Sequence, residues 1–460
     1  MKTYLDYFFE ISKISRVPGK EEKIADYLVK FAKERGLKYY RDDINNVVIW
    51  KDASVGYEDK KVLSLQSHVD MICEKTLDSK HDFINDPLDV YIDGDFVKAK
   101  DTTLGADNGV GVAYMLAILD AKDIKAPKLQ CIFTVQEETT MNGARFIDET
   151  KLLGNRIISF DNFSEDEMWV SSANSKEWEL ECNLEYQKLN NEYNTFELDL
   201  RGFMGGHSGL DIGDESRVNP IKLAIELIKD KNIMINEVGG GSRVNIIPRE
   251  FNVVFSTKES VEDIKTKIIG ISNNLVQGKI TLEKIEFREQ AFSKELTNNI
   301  INFISSFKNG ALNKDNDGNI ILSGNMGAVD LVEDKIIIKC SLRANEKELG
   351  ENLKQEIENN MKKNGIKVKF FDEMLGYLPE NNKELAEKCA RIYKEVFGKE
   401  IKKIKVQACL ECGFFAEKIK DLEYISIAPN IYNAHSPDEK FSISSADRMW
   451  KYILSILQEI

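Results

Sequence analysis

The first part of the chain alternates between helical and extended patterns of apolar residues. Apolar positions at helical spacing predict two amphipathic helices within residues 4–34, with a break at Val17-Pro18-Gly19. A further helix is predicted at about residues 109–120. Three short apolar runs of β character are found at residues 46–50, 62–66 and 130–135. This rhythm predicts a three-layer α/β/α domain, in which helices cover a sheet.

The pattern changes in the middle of the chain, where one order of predicted elements occurs twice. The first set is a helix at 218–230, strands at 243–247 and 251–256, a helix at 261–276 and a strand at 279–286. The second set is a helix at 294–308, strands at 319–323 and 334–342, a helix at 346–363 and a strand at 366–371. We therefore predict an α+β domain with two similar α-β-β-α-β halves.

The closing segment returns to the character of the first part. It has a helical pattern around Leu385–Val396, an apolar strand at 424–428 and a last helix at 445–460. If this segment completes the first sheet, one domain comprises residues 1–174 and 376–460, and residues 175–375 are inserted into it. Hinges are then expected near residues 172–177 and 374–379.

Charge and composition exclude several classes of function. The chain has 63 basic and 77 acidic side chains, a net charge of −14, which disfavours binding to nucleic acid or to an anionic membrane. No apolar run is long enough to span a bilayer, and Asp6 and Glu10 interrupt the start where a secretion signal would be apolar. Seven scattered cysteines favour reduced thiols. We expect a soluble cytoplasmic protein.

Candidate metal ligands occur at four strand or turn ends of the first domain, namely His68 with Asp70, Asp107, Glu137 with Glu138, and Asp161. Taken singly, a core histidine, a helix N-cap and solvated loop acids explain them as well or better. Taken together they are more informative, because ligands gather at the carboxyl ends of strands in an α/β sheet. Nitrogen and oxygen donors without thiolates would suit a pair of zinc, manganese or cobalt ions.

Five short strings occur in a fixed order along the chain. They are Ser67-His68-Val69-Asp70, Thr102-Thr103-Leu104-Gly105-Ala106-Asp107-Asn108-Gly109, Gln136-Glu137-Glu138-Thr139, Gly205-Gly206-His207-Ser208-Gly209 and Asn433-Ala434-His435-Ser436-Pro437-Asp438-Glu439. As a set they resemble the two-zinc metallopeptidase family of the aminoacyl-histidine dipeptidases, over essentially the whole chain. The resemblance implies a catalytic α/β domain and an inserted α+β lid domain that closes over short peptides.

The resemblance also implies a ligand set for two zinc ions, with manganese or cobalt as substitutes. His68 and Glu138 would each bind one ion, and Asp107 would bridge both. Asp161 and His435 would complete the two shells.

Two further acids have implied roles in the chemistry. Glu137 would be the general base that takes a proton from the attacking water and passes it to the leaving amine. Asp70 would orient His68 from behind.

Residues of the inserted domain would contact the substrate. By the same likeness His207 would stabilise the oxyanion or the substrate's carboxylate, and Asn245 and Arg343 would bind the carboxyl group or the oxyanion. In this chain Gln407 stands where the family usually has a histidine, which leaves the substrate preference open.

An aspartate at position 161 resembles the dipeptidases and aminopeptidases among these enzymes, whereas glutamate there is typical of carboxypeptidases and deacylases. We therefore expect hydrolysis of dipeptides with a free amino terminus, of Xaa-His or broad specificity. The alternative is an N-acyl-amino-acid deacylase or carboxypeptidase that uses the same metals. Both a monomer and a homodimer fit the sequence.

Overall fold

The computed structural model describes residues 2–378 and 384–460. Its helices are α1 Tyr4–Ile11, α2 Glu22–Glu34, α3 Ala106–Asp120, α4 Asn142–Phe146, α5 Pro220–Ile228, α6 Glu262–Ser272, α7 Lys294–Ser306, α8 Lys347–Lys363, α9 Glu384–Phe397, α10 Cys412–Lys418 and α11 Ile443–Glu459. None of the helices in these ranges is both long and apolar enough to cross a membrane.

Strands make up most of the remaining regular structure. They are β1 Lys38–Arg41, β2 Val47–Lys51, β3 Leu63–His68, β4 Val90–Asp93, β5 Phe96–Ala99, β6 Leu129–Thr134, β7 Arg156–Ser159, β8 Glu167–Ser172, β9 Asn174–Asn183, β10 Tyr186–Lys188, β11 Asn194–Arg201, β12 Gly206–His207, β13 Ile233–Gly241, β14 Ile246–Ile247, β15 Phe251–Thr257, β16 Lys279–Ile285, β17 Gln290–Phe292, β18 Gly310–Lys314, β19 Ile320–Val332, β20 Lys335–Ala344, β21 Lys367–Met374, β22 Lys402–Val406, β23 Glu423–Ser426, β24 Ile431–Tyr432 and β25 Lys440–Ser442. The α/β fold class predicted from the sequence is confirmed.

The described residues divide into two compact units. The first comprises residues 2–171, 384–404 and 411–460, and the second comprises residues 172–378 and 405–410. Residues 172–174, 376–378 and 405–410 thus belong to the second unit. Backbone hydrogen bonds join these pieces, from Ser172 N to Tyr377 O and from Ala173 N to Ala408 O, both at 3.1 Å. Pro379, at the end of a predicted hinge, and residues 380–383 lie outside the described residues.

An eight-stranded sheet organises the first unit, in the order β1-β2-β6-β3-β7-β23-β8-β22. Strand β3 pairs in parallel with β6 and β7, and β7 pairs in parallel with β23. A smaller sheet has the order β24-β25-β5-β4. Since β23 comes from the closing segment, both parts of the discontinuous first unit build one sheet.

Helix α3 is apolar on all sides and is buried from Ala106 to Leu119, as expected of a helix in the interior of a large domain. Helix α1 instead has one apolar face, which buries Tyr4, Tyr7, Phe8 and Ile11. Thr3 begins α1 with a capping box, in which its hydroxyl accepts from Asp6 N and the Asp6 carboxylate accepts from Thr3 N. These patterns explain why both helices were predictable.

The second unit contains a nine-stranded sheet with an internal symmetry. Its main order is β16-β11-β15-β13-β19-β20-β9-β21, and β18 adds to β19. One half is β11-α5-β13-β15-α6-β16, and the other is β9-α7-β19-β20-α8-β21, so their strands occur in mirrored order. The first half is therefore nested between β9 and α7, a feature that the repeat of α-β-β-α-β elements did not reveal.

The strand predicted at residues 243–247 was wrong in position. The structure has the long strand β13 at Ile233–Gly241, and only Ile246–Ile247 of the predicted run is extended. The cause is Gly239-Gly240-Gly241, a run that is typical of a loop but here continues a strand.

Candidate metal centre

The predicted metal ligands of the first unit follow neighbouring parallel strands. His68 ends β3, Glu137 and Glu138 follow β6, and Asp161 follows β7. In the register of the sheet His68 lies opposite Thr134 on β6, and Gln66 lies opposite Ser159 on β7. Parallel strands end at the same edge, so the sheet itself gathers these side chains.

Asp107 lies between two histidines. Its Oδ1 is 3.2 Å from His68 Nε2, and its Oδ2 is 3.2 Å from His435 Nε2. Asp107 is in the first turn of α3, where its backbone is extended, with φ −80° and ψ 110°. Each oxygen of this carboxylate therefore contacts a different imidazole.

Glu138 completes a compact group of potential ligand atoms. One such atom from each of His68, Asp107 and Glu138 lies within 4.8 Å of the others. Glu138 Oε1 is also 3.2 Å from His435 Nε2, the nitrogen that contacts Asp107 Oδ2 as well. Two buried carboxylates that share one imidazole concentrate negative charge, which a bound cation would compensate.

Asp70 holds the two glutamates in place. Its Oδ1 accepts from Glu137 N and its Oδ2 accepts from Glu138 N, both at 3.1 Å. His68 Nδ1 lies 3.1 Å from the Asp70 carbonyl oxygen and 3.5 Å from its carboxylate. The backbone of Asp70 therefore fixes the imidazole more closely than its carboxylate does, which leaves Nε2 for a metal.

Charge is concentrated in this site. Burial opposes it, but the hydrogen bonds with His435 and His68 hold the pKa of Asp107 well below its usual range. Despite burial, the carboxylates of Asp107 and Glu138 raise the pKa of His435 to about 11. Asp107 and Asp70 likewise raise the pKa of His68 well above its ordinary value. Carboxylates that stabilise two imidazolium ions would equally stabilise metal cations, which displace those protons when they bind.

The surroundings of two further acids raise their pKa values. Burial, followed by the charge of Asp107, raises the pKa of Asp161 to about 7. Burial also raises the pKa of Glu137 well above its ordinary value, with contributions from Asp161 and Glu138. A carboxyl group whose pKa is raised in this way is suited to accept and release a proton.

Three buried charged residues near the site were not predicted. Glu411 accepts hydrogen bonds from Gln66 Nε2 and Thr134 Oγ1, both at 2.6 Å, and burial raises its pKa to about 8. Glu439 and Arg16 contact the backbone around Asp107. Their sequence signal is weak: Glu411 interrupts a mainly apolar run, Leu410–Phe415, and Glu439 ends one of the five strings.

The predicted substrate-binding residues lie in the second unit, where the structure brings them together. His207 Nδ1 accepts from Gly209 N and Leu210 N, both at 3.2 Å. The next residue, Ser208, donates its N–H to Asn245 O at 2.9 Å. A methyl group added at Gly209 would lie 2.9 Å from Arg343 Nη1 and 3.0 Å from His207 Cε1, so Gly209 allows these groups to approach.

Arg343 is buried and held by the segment that contains Gln407. Its Nη1 donates to Gln407 O at 3.0 Å, while its Nε has no partner among the described residues. The Gln407 side chain accepts from Ser323 Oγ and donates to Ile320 O, both at 2.9 Å, and it also contacts Asn345. In this chain Gln407 is thus bound within the second unit at both its backbone and its side chain.

Comparisons with known proteins identify the family of the chain and relatives along its whole length. The family model described as peptidase family M20/M25/M40 matches residues 65–459. The chain is 28% identical over 470 aligned positions to the cytosol non-specific dipeptidase of Escherichia coli strain K12, covering 99% of this chain and 97% of that protein.

Two solved structures share the fold. The aminoacylhistidine dipeptidase of Vibrio alginolyticus superposes with a TM-score of 0.86 at 29% identity, covering 99% of this chain and 96% of that one. A tripeptidase from Staphylococcus aureus superposes with a TM-score of 0.61 at 15% identity, covering 99% and 97%. The second likeness shows the fold alone.

Proposed function

Because the chain belongs to peptidase family M20/M25/M40, and is therefore a hydrolase of peptide bonds, we propose that it hydrolyses dipeptides with a free amino terminus at a two-zinc site. The observation that carries the proposal is the group formed by His68, Asp107 and Glu138, whose ligand atoms lie within 4.8 Å of one another. The dipeptidases of Escherichia coli and Vibrio alginolyticus support this class of substrate, since both resemble the chain over 99% of its length.

In this proposal five residues of the first unit hold the metals. His68 and Glu138 each bind one ion, Asp107 bridges both, and Asp161 and His435 complete the shells. Two divalent ions, when bound, polarise the peptide carbonyl and lower the pKa of the attacking water. Zinc suits these nitrogen and oxygen donors, and manganese or cobalt would be accepted in its place.

Glu137 is the general base in this proposal. It is placed by the hydrogen bond from its own N–H to Asp70, and its raised pKa suits a group that takes a proton from water and delivers it to the leaving amine. Asp70 acts indirectly, since it positions Glu137, Glu138 and the ring of His68.

His207, Asn245 and Arg343 would bind the carboxylate or the oxyanion of the substrate. The support for Arg343 is its buried Nε, which has no partner among the described residues and is a donor suited to an anion. Because the carbonyl of Gln407 holds Arg343, the segment 405–410 would take part in this binding indirectly.

A panel of substrates tests the proposal. Unblocked dipeptides, including Xaa-His, would be compared with tripeptides and N-acetyl amino acids in the presence of zinc, manganese or chelator, and products would be measured by mass spectrometry. We expect zinc-dependent cleavage confined to unblocked dipeptides, and the panel would rank Xaa-His against other sequences. Preferred cleavage of acetylated substrates would instead support the deacylase alternative.

We further propose that the protein acts in the cytoplasm, in keeping with the name of its Escherichia coli relative. Its assembly is either a monomer or a homodimer, and light scattering distinguishes the chain mass of 52.5 kDa from twice that value.

A further inference from the structure

The turn that carries Asp107 is held by one buried carboxylate. Glu439 Oε2 accepts from Leu104 N at 2.8 Å and from Gly105 N at 2.9 Å, and its Oε1 accepts from Ala106 N at 2.8 Å and from Asp107 N at 3.3 Å. Four consecutive backbone N–H groups thus bind a single side chain, which is 3% exposed. Gly105 is the N-cap of α3, and the N–H groups of Gly105, Ala106 and Asp107 are among those that lack a partner within the helix itself.

A buried guanidinium binds backbone carbonyl groups around the same turn. Arg16 Nη2 donates to Gly105 O at 3.0 Å, and Arg16 Nη1 donates to Val69 O at 3.2 Å. Gly105 has a φ of +66°, and a Cβ added there would lie 2.5 Å from Arg16 Nη2. Only glycine therefore allows the turn both its conformation and its contact with Arg16.

These contacts connect the segments that carry the proposed ligands. Val69 lies between His68 and Asp70, and Gly105 lies two residues before Asp107. Glu439 lies four residues after His435 in the same loop, where its N–H donates to Ser436 O at 3.0 Å. Arg16 thus joins the His68 and Asp107 segments, while Glu439 joins the Asp107 and His435 segments.

We propose that Glu439 and Arg16 are positioning residues that fix the Asp107 carboxylate between His68 and His435 before metal binds. The inference rests on the proposed metal site and adds two residues that are not among its proposed ligands or substrate-binding residues. Burying two charged groups is unfavourable in free energy, which a merely space-filling role would not require. In their places the two groups satisfy six backbone groups of the ligand segments.

The decisive measurement is zinc affinity of the full-length protein, by titration with zinc alone. In Glu439→Gln the amide NH₂ group would face backbone N–H groups, which are donors too, so part of the hydrogen bonding would be lost. We expect zinc affinity to fall by about 10–100-fold, as is typical when residues that orient metal ligands are changed. The visible spectrum of the cobalt-loaded protein should change as well, because the position of the Asp107 carboxylate alters.

Glu423→Gln is a matched control. Glu423 is also buried, at 6% exposure, and accepts a backbone N–H at the start of a helix, from Leu385 at 2.7 Å. It lies opposite Arg156 at the other end of the sheet's strands. This variant should lower the Tm and leave the zinc affinity and the cobalt spectrum as in the wild type.

The inference is overturned if Glu439→Gln lowers the Tm but binds zinc within twofold of the wild type, with an unchanged cobalt spectrum. If Glu439→Gln does not fold, Arg16→Lys applies the same test, since one ammonium group cannot replace the two-pronged contact with Val69 and Gly105. A wild-type protein that binds no zinc would overturn the proposed metal site as well, and is thereby distinguished from failure of the positioning role alone.

Discussion

Single carboxylates in this molecule have different tasks because their surroundings differ. Asp107 contacts two histidines, which lower its pKa, whereas Glu137 is buried beside other acids, which raises its pKa. Asp70 instead binds backbone N–H groups of its neighbours. Residue type and spacing indicated Asp70, Asp107 and Glu137 as candidates, but the different contacts of these acids are supplied only by the fold.

Glu137→Gln should abolish hydrolysis and leave the metals in place. The amide keeps the size of the side chain but cannot take a proton, so we expect kcat to fall by at least about 10²–10⁴-fold. Metal content, measured by mass spectrometry, should equal that of the wild type. Glu149→Gln, at an exposed position of the same unit, serves as the control. Full activity of Glu137→Gln would exclude the role of general base.

Glu411→Gln should change how stability depends on pH. Burial raises the pKa of Glu411 to about 8 in the folded protein, above its value in the unfolded chain. The folded state therefore binds the extra proton, and the stability from this group falls as the pH rises from about 4.5 to about 8. Glutamine does not titrate, so the variant should not lose this stability. In urea unfolding of the metal-free protein, the free energy of unfolding of the variant should rise relative to that of the wild type between about pH 4.5 and 8. Parallel pH profiles of the two proteins would contradict the raised pKa of Glu411.

At the scale of elements, the sequence predicted helices best where the burial of apolar side chains determines the local structure. Periodic apolar faces predicted α1 and α2, and an unbroken apolar run predicted the buried helix α3. Strand β13 was missed because its glycines are needed for close contact with a neighbouring strand, and the sequence does not show which strands become neighbours. At Gly241, which pairs with Ala328 of β19 where the two halves join, a Cβ would lie 2.2 Å from Gly327 O.

Gly241→Ala should therefore destabilise the second unit. The residue has a φ of +80°, so strain of about 1–2 kcal/mol is expected from the backbone alone, and the close approach to Gly327 adds to it. Gly270→Ala is the control, because Gly270 lies in α6 with open space around its Cα, and alanine there should stabilise by up to about 1 kcal/mol. Thermal unfolding of both variants would measure the contrast, and equal Tm values would contradict it.

For the whole molecule, the sequence predicted a first domain of residues 1–174 and 376–460. In the structure, the eight-stranded sheet contains β23 from the closing segment. The candidate ligands also come from both parts, since His435 follows β24. Arg16, Glu411 and Glu439 were not predicted, because the type of a charged residue does not show whether its side chain is buried or exposed. Only the three-dimensional contacts reveal that each is enclosed by backbone and polar side chains.

Removal of metal should affect the first unit selectively. The potential metal ligands grouped within the described residues, His68, Asp107 and Glu138, all lie in that unit. We expect a chelator to abolish hydrolysis and lower the unfolding temperature, and zinc at about 100 times its Kd to restore about 2.7 kcal/mol. Calorimetry would show whether the change in unfolding temperature is confined to the transition of the first unit. A uniform shift, or none, would contradict a site confined to the first unit.

The place of β23 in the large sheet has a consequence for synthesis on the ribosome. β23 lies between β7 and β8, yet it is made only after the whole second unit. Until then the nascent chain has an open gap in the sheet, with strand edges that can pair with other chains. His435 is made later still, so the emerging protein would acquire the full set of proposed ligands only when the sheet can close.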